Sequence, residues 1–330
     1  MRLKATTRRF VVFLWILMTM TVWGCSMRSH SPVLSGPLDR PVEWKEGQII
    51  ETSSGRPVSI DELMQRIDQQ EVVYVGEEHH NRYHINAALT VLKHLTDGGH
   101  RPLLAMEMFG WESQPELDRY VRANDLSREE FIDLTAWKQN WGGPFEDYED
   151  LVAYAKSHQL SLVALNPPKR LIRLVATQGL AKGRLDPEWT RWGMQQEEIV
   201  DDPMYRQQLM RQLRACHDGG SDAMYQSMYE ASMVRDEGMA KSIVEAVRVT
   251  KESGSGPVVS YTGGGHIQYS LPVPKRVARR LSNHVRQLSI YLTAYESGRI
   301  EELREMSNGK IADYIWLTQV SAHGPPRRCR

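Results

Sequence analysis

Four short apolar runs, each followed at once by a polar or glycine-rich cluster, restrict this chain more than any other feature. Residues 72–75 run into Gly76-Glu77-Glu78-His79-His80, and residues 102–106 into Glu107. Residues 161–165 run into Asn166, and residues 257–262 into Gly263-Gly264-Gly265-His266. Such brief runs, rich in β-branched and other apolar residues and closed by turn signals, read as buried strands. Between them the spacing changes to that of a helix. Ile85, Ala88, Leu89, Leu92 and Leu95 mark one face and stop at Gly98-Gly99. Ser127 and Glu130 form a capping box before Phe131 and Leu134. Residues 203–249, rich in Met, Gln, Arg and Ala, read as two long helices divided near Asp218-Gly219-Gly220. Residues 289–293 and 315–319 read as late strands. This alternation predicts an α/β fold, a mostly parallel sheet flanked by helices with a helical insertion subdomain at about 170–250.

In an open parallel sheet, ligands sit outside the carboxyl ends of the strands. Four strands here deliver carboxylate, imidazole and amide groups to that one edge, and this convergence is the sign of a site. Two imidazoles with one or two carboxylates are ligand types for zinc, manganese or non-haem iron. The same groups also perform acid–base work without a metal. His80 and His84 have the i, i+4 spacing that places two rings on one helix face. Asn81 follows His80 where a zincin needs Glu, so that protease reading fails. No Lys-Ser/Thr follows Gly263–Gly265 and no G-x-G-x-x-G occurs, which argues against a phosphate loop. A G-x-S-x-G nucleophile elbow is also missing.

Composition narrows the classes further. Lys plus Arg and Asp plus Glu are 41 each in 330 residues, so there is no electrostatic footprint for nucleic acid. Three cysteines exclude a disulfide scaffold and a four-cysteine metal centre. Arg8 and Arg9 precede an apolar run over residues 10–24, long enough for a signal-peptide core but shorter than the ~20 residues of a membrane span. It ends Val22-Trp23-Gly24-Cys25-Ser26, which resembles a bacterial lipobox with Trp23 in place of the usual small or aliphatic residue. The expected organisation is a signal peptide over 1–24, a lipidated tether over 25–45 and a single domain over 46–330. Acylation of Cys25 would anchor the protein to a membrane rather than thread it through one. Ser26 after the cysteine implies, by resemblance to enterobacterial sorting, an outer-membrane lipoprotein facing the periplasm. Cys216 and Cys329 are either a pair in such an oxidising compartment or two separate thiols.

The motifs also carry a family likeness. Gly76-Glu-Glu-His79 with His84, Ala105-Met-Glu107-Met-Phe, Ala164-Leu-Asn166-Pro-Pro and Gly263-Gly-Gly-His266-Ile together resemble the ChaN-like haem-binding lipoproteins. That family lies in a wider group with Tiki and TraB proteins and erythromycin esterases, and the likeness covers roughly residues 65–285. Ala231-Ser-Met-Val-Arg-Asp236-Glu-Gly-Met-Ala240 is similar to the family's A-Q-x-x-x-D-x-x-M-A helix, with Ser232 where Gln is usual. The resemblance implies haem binding, a role in haem or iron uptake, and a homodimer that holds a pair of stacked haems. In Tiki-like relatives the same motifs form a metal-dependent hydrolase site. Carried over, His79, Glu107 and His266 would hold a divalent metal ion, with Glu77 as a fourth ligand or general base.

For haem itself, the helical region offers His217, Tyr225 and Tyr229, which are iron-ligand types, beside the soft side chains of Met204, Met210, Met224 and Met228. Tyr225 and Tyr229 are i, i+4 neighbours able to face one pocket. The bland alternative is an amphipathic helical core with half-exposed tyrosines. Lys169 and Arg170, just after Asn166, would either meet an anionic group such as a haem propionate or form a solvated first helical turn.

Overall fold

A computed structural model describes residues 43–123, 125–322 and 324. The expected signal peptide, Cys25, most of the expected tether and Cys329 lie outside the described residues.

Eight strands form one sheet. They are β1 (Ile49–Glu51), β2 (Arg56–Val58), β3 (Val72–Glu77), β4 (Leu103–Gly110), β5 (Leu162–Asn166), β6 (Val258–Gly263), β7 (Gln287–Ala294) and β8 (Tyr314–Thr318). Their order is β2-β1-β8-β7-β3-β6-β4-β5. All pairings from β8 to β5 are parallel. β1 and β2 add an antiparallel ribbon on the β8 edge. The six strands read from the sequence are all present. The ribbon is not among them, because three residues are too few for a period to show. Trp44, placed in the tether by the sequence reading, is buried with Ile50, Leu303 and Ile315 against this end of the sheet.

The alternation of side chains along a strand gives each face its own core. Val73, Val75, Leu104, Met106 and Tyr261 pack with helices Ile60–Ile67, Arg82–Asp97 and Glu146–Ser157. Val72, Tyr74, Leu103, Ala105 and Val258 pack with Met239, Ile243 and Val247 and with Val273 and Val277. Coverage on both faces explains why these strands are apolar throughout rather than alternating with polar residues.

The second face belongs to the 32-residue helix Asp222–Ser253. Ser221 caps it by accepting from Met224 N–H, and Gly254 closes it in a left-handed conformation. Helix Pro203–Cys216 precedes it, capped by Asp202 with Pro203 in its first turn. The break at residues 217–220 falls where the glycines place it. The first half of the long helix leaves the sheet and packs with Pro203–Cys216 through Tyr205, Tyr229 and Met233, and with Lys169–Gln178 through Leu171, Val175 and Val234. This is the helical insertion, and it stands over the carboxyl ends of β3 and β6. No helix among the described residues is long and apolar enough to cross a membrane.

Candidate functional site

Glu77 is the last residue of β3 and is buried. Its Oε1 accepts from the Tyr148 hydroxyl at 2.9 Å and from His79 Nδ1 at 2.8 Å, and its Oε2 accepts from the Tyr261 hydroxyl at 2.6 Å. Burial raises its pKa, and the three donors oppose that rise. Burial likewise holds both phenols neutral, as the donors this arrangement needs.

His79 stands at the exposed side of the cluster, its ring edge-on to Trp141 with centroids 4.8 Å apart. Partial burial disfavours its charge, but the Glu77 bond and the Glu107 and Glu77 carboxylates outweigh that and raise its pKa. With Nδ1 held by Glu77, Nε2 is the atom left for chemistry.

Glu107 lies inside β4, not in a loop after it. The register of β4 against β5 shifts between Met106 and Gly110, and this irregularity spans Glu107. Glu107 Oε2 accepts from Gly263 N–H at 2.7 Å, and Oε1 is 3.3 Å from His266 Nε2. Its pKa falls well below the usual carboxylate range: burial pushes it up, but the charge and bond of His266 outweigh burial. His266 Nδ1 donates to Asp236 Oδ1 at 2.6 Å, and Asp236 Oδ2 accepts from Tyr205 at 2.5 Å. Burial works against the imidazolium, yet Glu107 and Asp236 on its two sides raise its pKa to about 10. Asn166, at the end of β5, donates from Nδ2 to the Glu107 carbonyl at 2.5 Å.

The glycines of the two G-x-x-H stretches are set by contact. A methyl group at Gly263 would lie 2.8 Å from His79 Cε1 and 3.4 Å from Glu107 Oε2. One at Gly76 would lie 2.5 Å from Ile267 Cδ1 and 2.9 Å from the Gly264 backbone.

The structure therefore brings Glu77, His79, Glu107 and His266 to one place. It does so as alternating acid–imidazole pairs. No group of three His, Cys, Asp or Glu among the described residues is disposed as a metal centre. His84 is a buried structural histidine. Its Nδ1 accepts from Glu78 N–H, its Nε2 meets Thr318 Oγ1, and burial lowers its pKa to about 3. His80 is held by Asp147 at 2.7 Å.

The helical candidates separate. The Tyr225 hydroxyl donates to the His217 carbonyl at 2.5 Å, and the Tyr229 hydroxyl to Asp201 at 2.7 Å. The sequence spacing that suggested one shared pocket for these tyrosines instead places each in helix packing. Neither lines the large cavity of about 1070 Å³ that opens between helix Pro203–Cys216 and the strand ends. His217 does line it, with His79, His266, Tyr269 and Tyr291. Cys216 is disulfide-bonded. Asp236, Tyr148, Tyr261 and Tyr269 were missed as site residues by sequence reasoning. Asp236 was visible only within the family helix pattern, and the phenols carry no local signal.

A family model described as "Haem-binding uptake, Tiki superfamily, ChaN" matches residues 63–277. The solved structure "Cofacial heme binding to ChaN of Campylobacter jejuni" superposes with a TM-score of 0.64 at 16% identity, covering 83% of this chain and 97% of that one. An erythromycin esterase mutant, EreC, superposes with a TM-score of 0.44 at 12% identity, covering 76% of this chain and 77% of that one. Protein RETICULATA-RELATED 5, chloroplastic, of Arabidopsis thaliana is 22% identical over 283 residues, 80% of this chain. The chain spans 37% of the length of that curated relative.

Proposed function

The chain belongs to the haem-binding uptake family of the Tiki superfamily that includes ChaN, and from that premise we propose that it binds haem at the bacterial cell envelope and serves haem or iron uptake. The observation that carries this reading is the cavity over the strand ends. At about 1070 Å³ it lies just above the ~300–1,000 Å³ usual for small-molecule pockets. Its lining fits a haem. Leu209, Leu213, Met306 and Ile311 offer apolar surface, and Arg211 offers a cation for a propionate. His217, exposed at the end of its helix, and Tyr269 are iron-ligand types. Burial pushes the Tyr291 phenol up to about 12, which makes it a poorer phenolate. Tyr269 and Ser270 hold left-handed backbone angles, φ 55° and 56°, a strain that clusters at ligand sites. In this reading haem is cargo, the loaded form is a homodimer, and a lipid on Cys25 tethers the protein to the outer membrane on its periplasmic side. The disulfide at Cys216 accords with an oxidising compartment.

Haemin titration of the purified chain tests the proposal. A saturable Soret band is expected, with a doubling of hydrodynamic mass. His217→Ala or Tyr269→Phe should alter the band, whereas Tyr225→Phe and Tyr229→Phe should leave it unchanged. No Soret shift removes the haem reading.

One observation favours a second reading, hydrolysis at the strand ends: His79, Glu107 and His266 meet at one point. As they stand, both Glu107 oxygens are engaged, and proton transfer at His79 Nε2 is the chemistry left open. Ester hydrolysis that is lost in His79→Asn and in Glu107→Gln would support it. Turnover equal to that of either variant would end it.

A further inference from the structure

A second, smaller cavity lies on the other side of Glu107, and its walls leave polar atoms unmatched. It measures about 180 Å³ and is lined by Glu107, Asn140, Trp141, Asn166, Lys169 and Arg235 among others. It shares only Glu107 with the charged cluster described above, and no residue with the haem cavity.

Arg235 is the first unmatched group. Its Nε is buried and has no hydrogen-bond partner. On the next helix Arg276, Arg279 and Arg280 all sit within ion-pair distance of Glu237, although Arg276 Nε and Nη2 are also buried without a hydrogen bond. Arg235, one residue from Asp236 and two from Glu237, pairs with neither. Its charge is felt by Glu107, but Glu107 bonds Gly263 and His266 instead.

Asn166 is the second. Its Nδ2 donates to the Glu107 carbonyl, which fixes the amide orientation and leaves Oδ1 as a buried acceptor without a donor. Lys169 is exposed at the mouth of the cavity, its Nζ anchored on the Gln139 and Asn140 carbonyls at 2.6 and 3.4 Å, and adds a positive charge there.

Buried polar atoms are matched in the great majority of native proteins, and an unmatched group marks an absent partner. Here the missing partner supplies an acceptor to Arg235 and a donor to Asn166, and the two cations, Arg235 and Lys169, favour negative charge on it. We propose that this cavity binds a small organic anion, a carboxylate or phosphate ester with a hydroxyl or amine next to the charge. Arg235 takes the anion through its planar fork, Lys169 adds a point charge at the mouth, and Asn166 Oδ1 accepts from the neighbouring hydroxyl or amine. The site is independent of the haem reading.

Calorimetric titration of the intact chain with glycolate, acetate and inorganic phosphate tests this. Saturable binding of glycolate or phosphate is expected, with acetate, which lacks the hydroxyl, weaker than glycolate. The stronger of the two identifies carboxylate or phosphate as the natural group. Arg235→Gln should weaken binding about tenfold or more, and Arg235→Lys should recover part of it. Asn166→Leu should reduce the preference for glycolate over acetate. Each variant is checked for an unchanged melting temperature, and Arg235→Lys serves if Arg235→Gln does not fold. Prior saturation with haemin should leave the titration unchanged. If haemin abolishes it, the anion is a haem propionate and a separate site is refuted. Absence of saturable binding, or equal binding by Arg235→Gln, also overturns the proposal.

Discussion

His266 is the residue whose ionisation most depends on the fold. Its pKa rises from an ordinary 6.5 to about 10 because Glu107 and Asp236 flank it. A folded value above the unfolded one means the native state holds the proton more tightly. That stability is full below pH 6.5 and is lost as pH rises through about 10. His84 has the opposite sign. Its folded value of about 3 means stability that is full above pH 6.5 and falls as pH drops toward 3. Denaturant midpoints measured across pH should therefore be highest near neutrality. Asp236→Asn should flatten the alkaline limb and leave the acid limb in place; an alkaline limb identical to that of the unaltered chain would refute the ion-pair account. The residues read from the sequence as one site, Glu77, His79, Glu107 and His266, were legible because each ends or closely follows an apolar run. Asp236 was not, because it comes from mid-helix and faces the site only through the packing of residues 222–253 on the sheet.

Between elements, the firmest polar link joins the long helix to helix Val273–Arg280. Glu237 is fully buried and meets Arg276 at 3.1 Å, Arg279 at 2.9 Å and Arg280 at 2.5 Å. Removing the carboxylate leaves cations facing one another in a dry place. Glu237→Gln should cost about 3–5 kcal/mol in an unfolding titration; a loss of only a few tenths would show that water reaches the cluster. The glycines make a second case. Gly76→Ala would press on the Gly264 backbone and Ile267, and should cost about 1–3 kcal/mol. Gly263→Ala meets the His79 ring, a side chain rather than backbone, and should displace that ring with less loss of stability. Element by element, the strands were legible because the parallel sheet is covered on both faces and needs unbroken apolar runs. The β1–β2 ribbon was not, since its short strands depend on the β8 edge for a partner. The two helices of the insertion were readable, but the directions of Tyr225 and Tyr229 were not, because i, i+4 spacing gives a shared helix face and not what lies opposite it.

Across the molecule, the Gly24–Cys25 junction is what the proposed lipid anchor rests on. If Cys25 is acylated, Cys25→Ser should lose radiolabelled palmitate and accumulate an unprocessed precursor; label entering the variant equally would dismiss the anchor. The strand order bears on something else, the moment at which the site can exist. β3 carries Glu77 and sits at the middle of the sheet, yet Val72 finds its neighbours only in Val258 on one side and Gln287 on the other. β4 can pair with β5 on one side but waits for β6 on the other. A chain that emerges N-terminus first, from a ribosome or through a membrane pore, therefore presents both edges of this buried central strand bare until residues near 258 arrive. Bare strand edges recruit other chains, and late pairing of distant strands is slow. The central position that shields the acid–imidazole cluster in the finished protein thus makes that cluster one of the last parts of the chain to take shape.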